Sequence, residues 1–120
     1  MQWCVRHTIV IHMFSETESS VHLQELRRGT VVLASLLVLR RPSYGYALLE
    51  QLTQADIHVE ANTLYPLLRR LEGQGLLLSE WDTSETRPRK FYRTTPAGEE
   101  LAATLRADWA RLDRAIDQIV

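Results

Sequence analysis

A single cysteine in 120 residues leaves Cys4 without an internal disulfide partner and excludes a disulfide framework. The four histidines, His7, His12, His22 and His58, are scattered without ligand spacing, so neither a structural metal nor a cofactor is expected. A reducing, cytoplasmic setting fits that usage. No stretch reaches the roughly 20 apolar residues of a membrane span. Thr8 to Phe14 comes nearest to a signal-peptide core, yet it includes His12 and no small-residue cleavage site follows. Glycine-rich phosphate loops and paired-carboxylate motifs are missing, and His58 has no nucleophile in its own motif, so no catalytic residue is assigned and an enzyme is not expected.

Excess charge is missing too: the net charge is −1, which does not advertise a nucleic-acid binder. The sum hides segregation. Arg87, Arg89, Lys90 and Arg93 crowd one short region, whereas Asp108, Asp113 and Asp117 sit near the C-terminus. Local charge, not net charge, sets a phosphate-binding face. With 45% hydrophobic and 24% charged residues, the chain has the composition of one soluble globular domain with a modest core.

What the chain does have centres on Glu60 to Leu77, EANTLYPLLRRLEGQGLL. At helical spacing Leu64, Leu67, Leu68 and Leu71 share one face, and Asn62, Pro66, Arg69 and Gly73 lie roughly opposite, flanked by Tyr65 and Arg70. A small helix held by leucines and showing Asn, Thr, Tyr and Arg outward suits a DNA major groove. There asparagine can pair with adenine and arginine with guanine. Asn62 and Thr63 can alternatively cap the helix, Arg69 can be a solvated charge, and Arg70 can pair with Glu72 or Glu50.

Upstream, residues 1–22 form an extension: Trp3 to Phe14 is apolar and β-branched, and Ser15 to Ser20 is polar. It reads as a flexible segment, with an arm reaching a partner as the functional alternative, and Met13 as a possible start. Leu23 to Leu39 predicts a helix buried on several sides through Leu26, Leu33, Leu36 and Leu37, with Val31 and Val32 suggesting a contact beyond the domain's own core. Pro42 ends it and Ser43 is placed to cap the next helix, Tyr44 to Gln54, whose Leu48, Leu49 and Leu52 point inward. Tyr44 and Tyr46 carry hydroxyls able to reach phosphate. Two helices closely followed by the Glu60 helix make a helix-turn-helix pattern.

Leu76 to Asp82 and Lys90 to Thr95 then read as strands of a hairpin, with TSETRPR between them. Such a hairpin is a wing, and Arg87, Arg89 and Lys90 are its phosphate contacts, with a solubilising tip as the alternative. Thr95, Pro96, Glu99 and Glu100 start a last helix. Its apolar residues Leu105, Trp109, Leu112, Ile116 and Ile119 follow a heptad-like spacing that wants a partner helix, most simply from a second copy of the chain.

The blocks LRRGTVVLASLLVL, PSYGYALLEQL, NTLYPLLRRLEGQGLL and RPRKFYRTTPAGEEL resemble, in that order, the PadR family of bacterial transcriptional regulators. The resemblance runs from about Leu26 to the C-terminus and is most specific in the third and fourth blocks. It implies a mainly α fold with a small β-hairpin, a winged helix-turn-helix with a C-terminal dimerisation helix, and a homodimer that represses transcription from a double-stranded DNA operator until a ligand or stress signal relieves it. The single C-terminal helix looks like the short branch of the family, in which a tryptophan between dimer helices stacks on small, planar, apolar effectors. Trp109 occupies the matching place, with Asp113 and Val32 as possible neighbours. Asn62 departs from the small residue common there, and residues 1–22 have no counterpart. The expected organisation is therefore an extension (1–22), a DNA-binding domain (23–95) and a dimerisation helix (96–120). A winged-helix protein-interaction module that never reads DNA is the alternative.

Overall fold

The computed structural model describes the backbone of residues 2–120 and the side chains of residues 19–120. The chain divides into two units, Met1–Thr30 and Val31–Val120. Helix α1 (Gln2–Val38) contributes residues to both. Its backbone is helical from Gln2 instead of starting at Leu23, because no glycine or proline precedes Gly29 to interrupt it. The side chains of Trp3 to Phe14, including Met13, lie outside the described residues. Within the first unit Leu26 is exposed, contrary to its expected burial.

In the second unit the order continues β1 (Ser43–Tyr44), α2 (Gly45–Gln54), α3 (Ala61–Gly73), β2 (Leu77–Asp82), β3 (Arg89–Thr94) and α4 (Pro96–Ile119). Val31, Leu36, Leu39, Leu48, Leu52, Leu64, Leu67, Leu68, Leu71 and Leu77 form one core, so Val31 is covered within its own chain. Each such leucine contributes about 1.5–3 kcal/mol by burial. Ala55 and Asp56 close α2, with Asp56 at φ 64° and Ile57 N–H bonded to Leu52 O at 2.8 Å. This is a helix end of the kind that turns the chain sharply into the next helix.

The three strands are antiparallel in the order β1-β3-β2. β1 is too short to be legible as a strand, and it corrects the expected role of Ser43: Tyr44 is the N-cap of α2, in extended conformation, and no side chain caps that helix. On β3, Lys90, Tyr92 and Thr94 alternate with Arg89, Phe91 and Arg93. The buried Thr94 ties the sheet to α1, donating its hydroxyl to Leu36 O at 2.6 Å and its N–H to Leu39 O at 2.8 Å.

α4 begins as its sequence predicts. Thr95 Oγ1 accepts from Gly98 N–H at 3.1 Å and donates to Gly75 O at 2.7 Å, with Pro96 in the first turn. Gly98 is buried where α4 crosses the start of β2, and a Cβ there would collide with the Leu76 carbonyl and stand 2.7 Å from Thr94 Cγ2. Backbone cannot give way as a side-chain tip can. Gly98→Ala is therefore expected to destabilise the domain by about 1–3 kcal/mol, read as a lower urea midpoint; an unchanged midpoint would mean that α4 is not held this closely.

Candidate nucleic-acid interface

α3 buries Leu64, Leu67, Leu68 and Leu71 and leaves Asn62, Thr63, Pro66, Arg69 and Arg70 exposed, as its leucine spacing requires. Glu60 is the N-cap and makes no side-chain cap bond, so Asn62 and Thr63 are not the capping residues. Neither Arg69 nor Arg70 joins an ion pair among the described residues. Tyr65 is half-buried, and its ring packs into the space left by the missing Cβ of Gly45, which would stand 2.5 Å from Tyr65 Cε1. This contact sets how closely α3 approaches α2.

The Glu72 carboxylate joins α3 to the wing. It accepts from Ser79 Oγ on β2 at 2.5 Å and from Lys90 Nζ on β3 at 3.3 Å. The Ser79 hydrogen bond, and after it Lys90, hold Glu72 below its ordinary pKa of 4.5 despite partial desolvation. Lys90, expected at the phosphate backbone, is thus half-buried and turned toward α3, with Nζ 5.4 Å from the Tyr92 ring centroid. Because these two partners occupy Glu72, it does not pair with Arg70.

Tyr44 has a comparable role at the other side of the sheet. Its hydroxyl donates to Asp82 Oδ2 at 2.5 Å, its ring stacks on Tyr46 at 5.9 Å, and the edge of Phe91 meets it at 6.1 Å. Arg89 lies over the Tyr44 ring at 4.3 Å, donates from Nη1 to Tyr46 Oη at 2.8 Å, and pairs through Nη2 with Glu85 at 2.9 Å. Tyr44 and Arg89 therefore hold the base of the wing against the start of α2. Arg87, in the exposed loop, pairs with no carboxylate among the described residues.

Local sequence pattern does not single out Asp82, Glu85 or Ser79, because Asp82 meets Tyr44 from far along the chain, Ser79 meets Glu72 across the turn between α3 and β2, and Glu85 acts through a wing arginine with several possible mates. Trp81 is equally silent in the pattern. It is 64% exposed on the strand face shared with Ser79 and Lys90, both of which reach Glu72. On α4, Trp109 is 55% and Ile119 80% exposed, and Leu112 and Ile116 are exposed with them, while Leu105 is half-covered. Val32 packs at the margin of the core, whereas Trp109 and Asp113 stand in solvent, so one chain alone does not enclose a site around Trp109. Among the described residues no cluster of His, Cys, Asp and Glu could hold a metal, and no helix is long and apolar enough to cross a membrane.

Helix, turn, leucine-anchored helix and hairpin together define a winged helix-turn-helix. Residues 32–104 match the transcriptional regulator PadR-like family, and the chain belongs to that family, so its role is DNA-binding regulation of transcription. A PadR family transcriptional regulator from Eggerthella lenta DSM 2243 superposes with TM-score 0.83 at 48% identity, covering 89% of this chain and 96% of that one. A PadR-like transcription factor from Bacteroides fragilis gives TM-score 0.69 at 33% identity, over 81% and 96% of the two chains. The transcriptional regulator Rv3488 of Mycobacterium tuberculosis is 46% identical over 55 residues, a match that spans 46% of this chain and 51% of the relative.

The wing anchor has a pH signature. The Ser84 hydroxyl first, and then the Tyr44 phenol, lower the Asp82 pKa from 3.8 to about 2. Because the folded-state value is depressed, the anchor's contribution is fully present above the unfolded value and is lost as pH falls from 3.8 toward about 2. Near-UV circular dichroism should show the tyrosine signal fading over that interval, and Asp82→Asn, which keeps the acceptor but cannot titrate, should remove that part of the change. Superimposable acid titrations of the two proteins would show that Asp82 does not hold the wing.

Proposed function

We propose that the chain acts in the cytoplasm as a homodimeric repressor of a pseudo-palindromic DNA operator. One α3 enters each major groove, at half-sites about one helical turn apart. The observation that carries this reading is the exposed face of Asn62, Thr63, Arg69 and Arg70, two of them unpaired cations among the described residues, on a helix whose opposite side is fixed by buried leucine. Asn62 and Arg69 read base edges, with Thr63 and the exposed part of Tyr65 beside them, and Arg70 and Arg87 meet phosphates. Arg89 also faces phosphate, whereas Tyr44 and Lys90 hold the wing and α3 in place for those interactions.

Anisotropy titrations against the promoter of its own gene test this. Arg87→Ala should weaken binding to every sequence alike and flatten the slope of log affinity against log salt by about 0.9 for each phosphate left without its cation. Arg69→Ala should instead cost about 1–3 kcal/mol of discrimination at one base pair of each half-site. If the intact protein shows no preference for any promoter sequence, the protein-interaction module becomes the better reading.

The stripe Leu105, Trp109, Leu112, Ile116 and Ile119, exposed at every position but the half-covered Leu105, forms the dimer seam between two α4 helices, since an apolar heptad face in water calls for a matching one. At that seam a small, planar, apolar effector stacks on Trp109 near Asp113 and Val32, and it weakens repression by favouring a spacing of the two heads that the operator does not fit. Trp109→Ala examines both ideas at once. Sedimentation should show weaker dimerisation, and quenching of tryptophan emission by a planar dye should be abolished although Trp3 and Trp81 remain. Equal quenching in variant and wild type would dispose of the Trp109 platform, and unchanged sedimentation would move the seam elsewhere.

A further inference from the structure

Arg89 has three partners of different kinds. The Tyr44 ring lies under its guanidinium and Tyr46 Oη accepts from Nη1 at 2.8 Å; both belong to the start of α2. The third, Glu85 Oε1, accepts from Nη2 at 2.9 Å and comes from the loop between the two wing strands. The tyrosines fix the plane and direction of the guanidinium. Glu85 supplies only an anion to its open edge.

Resting on the DNA-binding reading, we propose that this edge is a seat for one DNA backbone phosphate and that Glu85 fills it as a stand-in when the protein is free. Carboxylate and phosphate present similar pairs of oxygens to a guanidinium, so one replaces the other without reorienting it. The Glu85 side chain is 61% exposed, and an ion pair in such a position is weak enough for a phosphate to displace. Tyr46 also fits the part: its oxygen accepts from Arg89, so its own proton remains to be donated to a phosphate oxygen, and the residue is 47% exposed. Asp82, the other nearby carboxylate, cannot compete, because Ser84 and Tyr44 already hold it. Glu85 thus lowers affinity for all DNA alike and leaves the choice between sites to the base contacts.

Glu85→Gln should tighten binding to operator and to random duplex DNA by about two- to fivefold, the range an exposed ion pair allows. Glu80→Gln makes the same charge change at an exposed β2 position that forms no ion pair with Arg89, and its gain should be smaller. In an Arg89→Ala background the Glu85→Gln gain should vanish. Equal gains from the two glutamines, or a gain that survives loss of Arg89, would reduce the effect to general repulsion and overturn the proposal. Weaker binding by Glu85→Gln would make Glu85 a support for Arg89 and overturn it as well. Failure of the DNA-binding reading itself looks different, since the wild type would then show no salt-dependent binding to any duplex.

Discussion

The interface depends on the burial of one side of α3. Leu64, Leu67, Leu68 and Leu71 sit among Leu36, Leu39, Leu48, Leu52 and Leu77, and this packing alone gives the helix a direction. Helical propensity could not do so. Pro66 lacks the N–H that would bond to the Asn62 carbonyl one turn back, no side chain caps the N-terminus, and the helix spans only 13 residues. The polar face is the complement of the leucine face, so a change among the leucines would act on DNA binding by rotating or tilting the helix, without touching an exposed residue.

A fixed helix still needs a wing at a fixed height. Two polar ties supply it, one from each face of the sheet. Glu72 binds Ser79 and Lys90, joining the last turn of α3 to both wing strands. Tyr44 binds Asp82 and lies under Arg89, joining the wing's base to α2. Both ties are partly exposed, so neither adds much to global stability. Their value lies in geometry: they keep the wing from pivoting about the hydrogen-bonded strands, and so keep Arg87 at a set distance from Arg69.

The elements legible in the sequence are those specified by local pattern. The α3 leucines, the Thr95-Pro96 start of α4 and the alternation of β3 each depend on residues a few positions apart, and their boundaries fall within one or two residues of expectation. The tasks of Tyr44 and Lys90 are hidden for the opposite reason. Each looks like a free polar group in the sequence, and each finds its partner far along the chain, Tyr44 at Asp82 and Lys90 at Glu72. β1 escapes notice for the same cause, since two residues become a strand only when Tyr92 and Phe91 arrive beside them. The start of α1 is illegible because a polar run without glycine or proline reads as loop by composition but contains nothing that stops a helix.

The charge distribution resolves how a chain of net charge −1 meets a polyanion. Around the wing and α3, three carboxylates are each held by a donor: Glu72 by Lys90 and Ser79, Asp82 by Tyr44 and Ser84, Glu85 by Arg89. Arg69, Arg70 and Arg87 carry no such pairing among the described residues. Screening over about 8–10 Å at ordinary salt makes that local imbalance, not the remote acids of α4, the field a nearby phosphate feels. The acids beside the interface therefore serve geometry first, orienting Lys90 and the wing: Lys90 and Arg89 offset the charge of Glu72 and Glu85, Asp82 keeps its charge among neutral hydroxyls, and the six cations of α3 and the wing still outnumber their four carboxylates. Moving the same number of acids from α4 to the loop at Thr83–Pro88 would leave the net charge unchanged and remove the binding face.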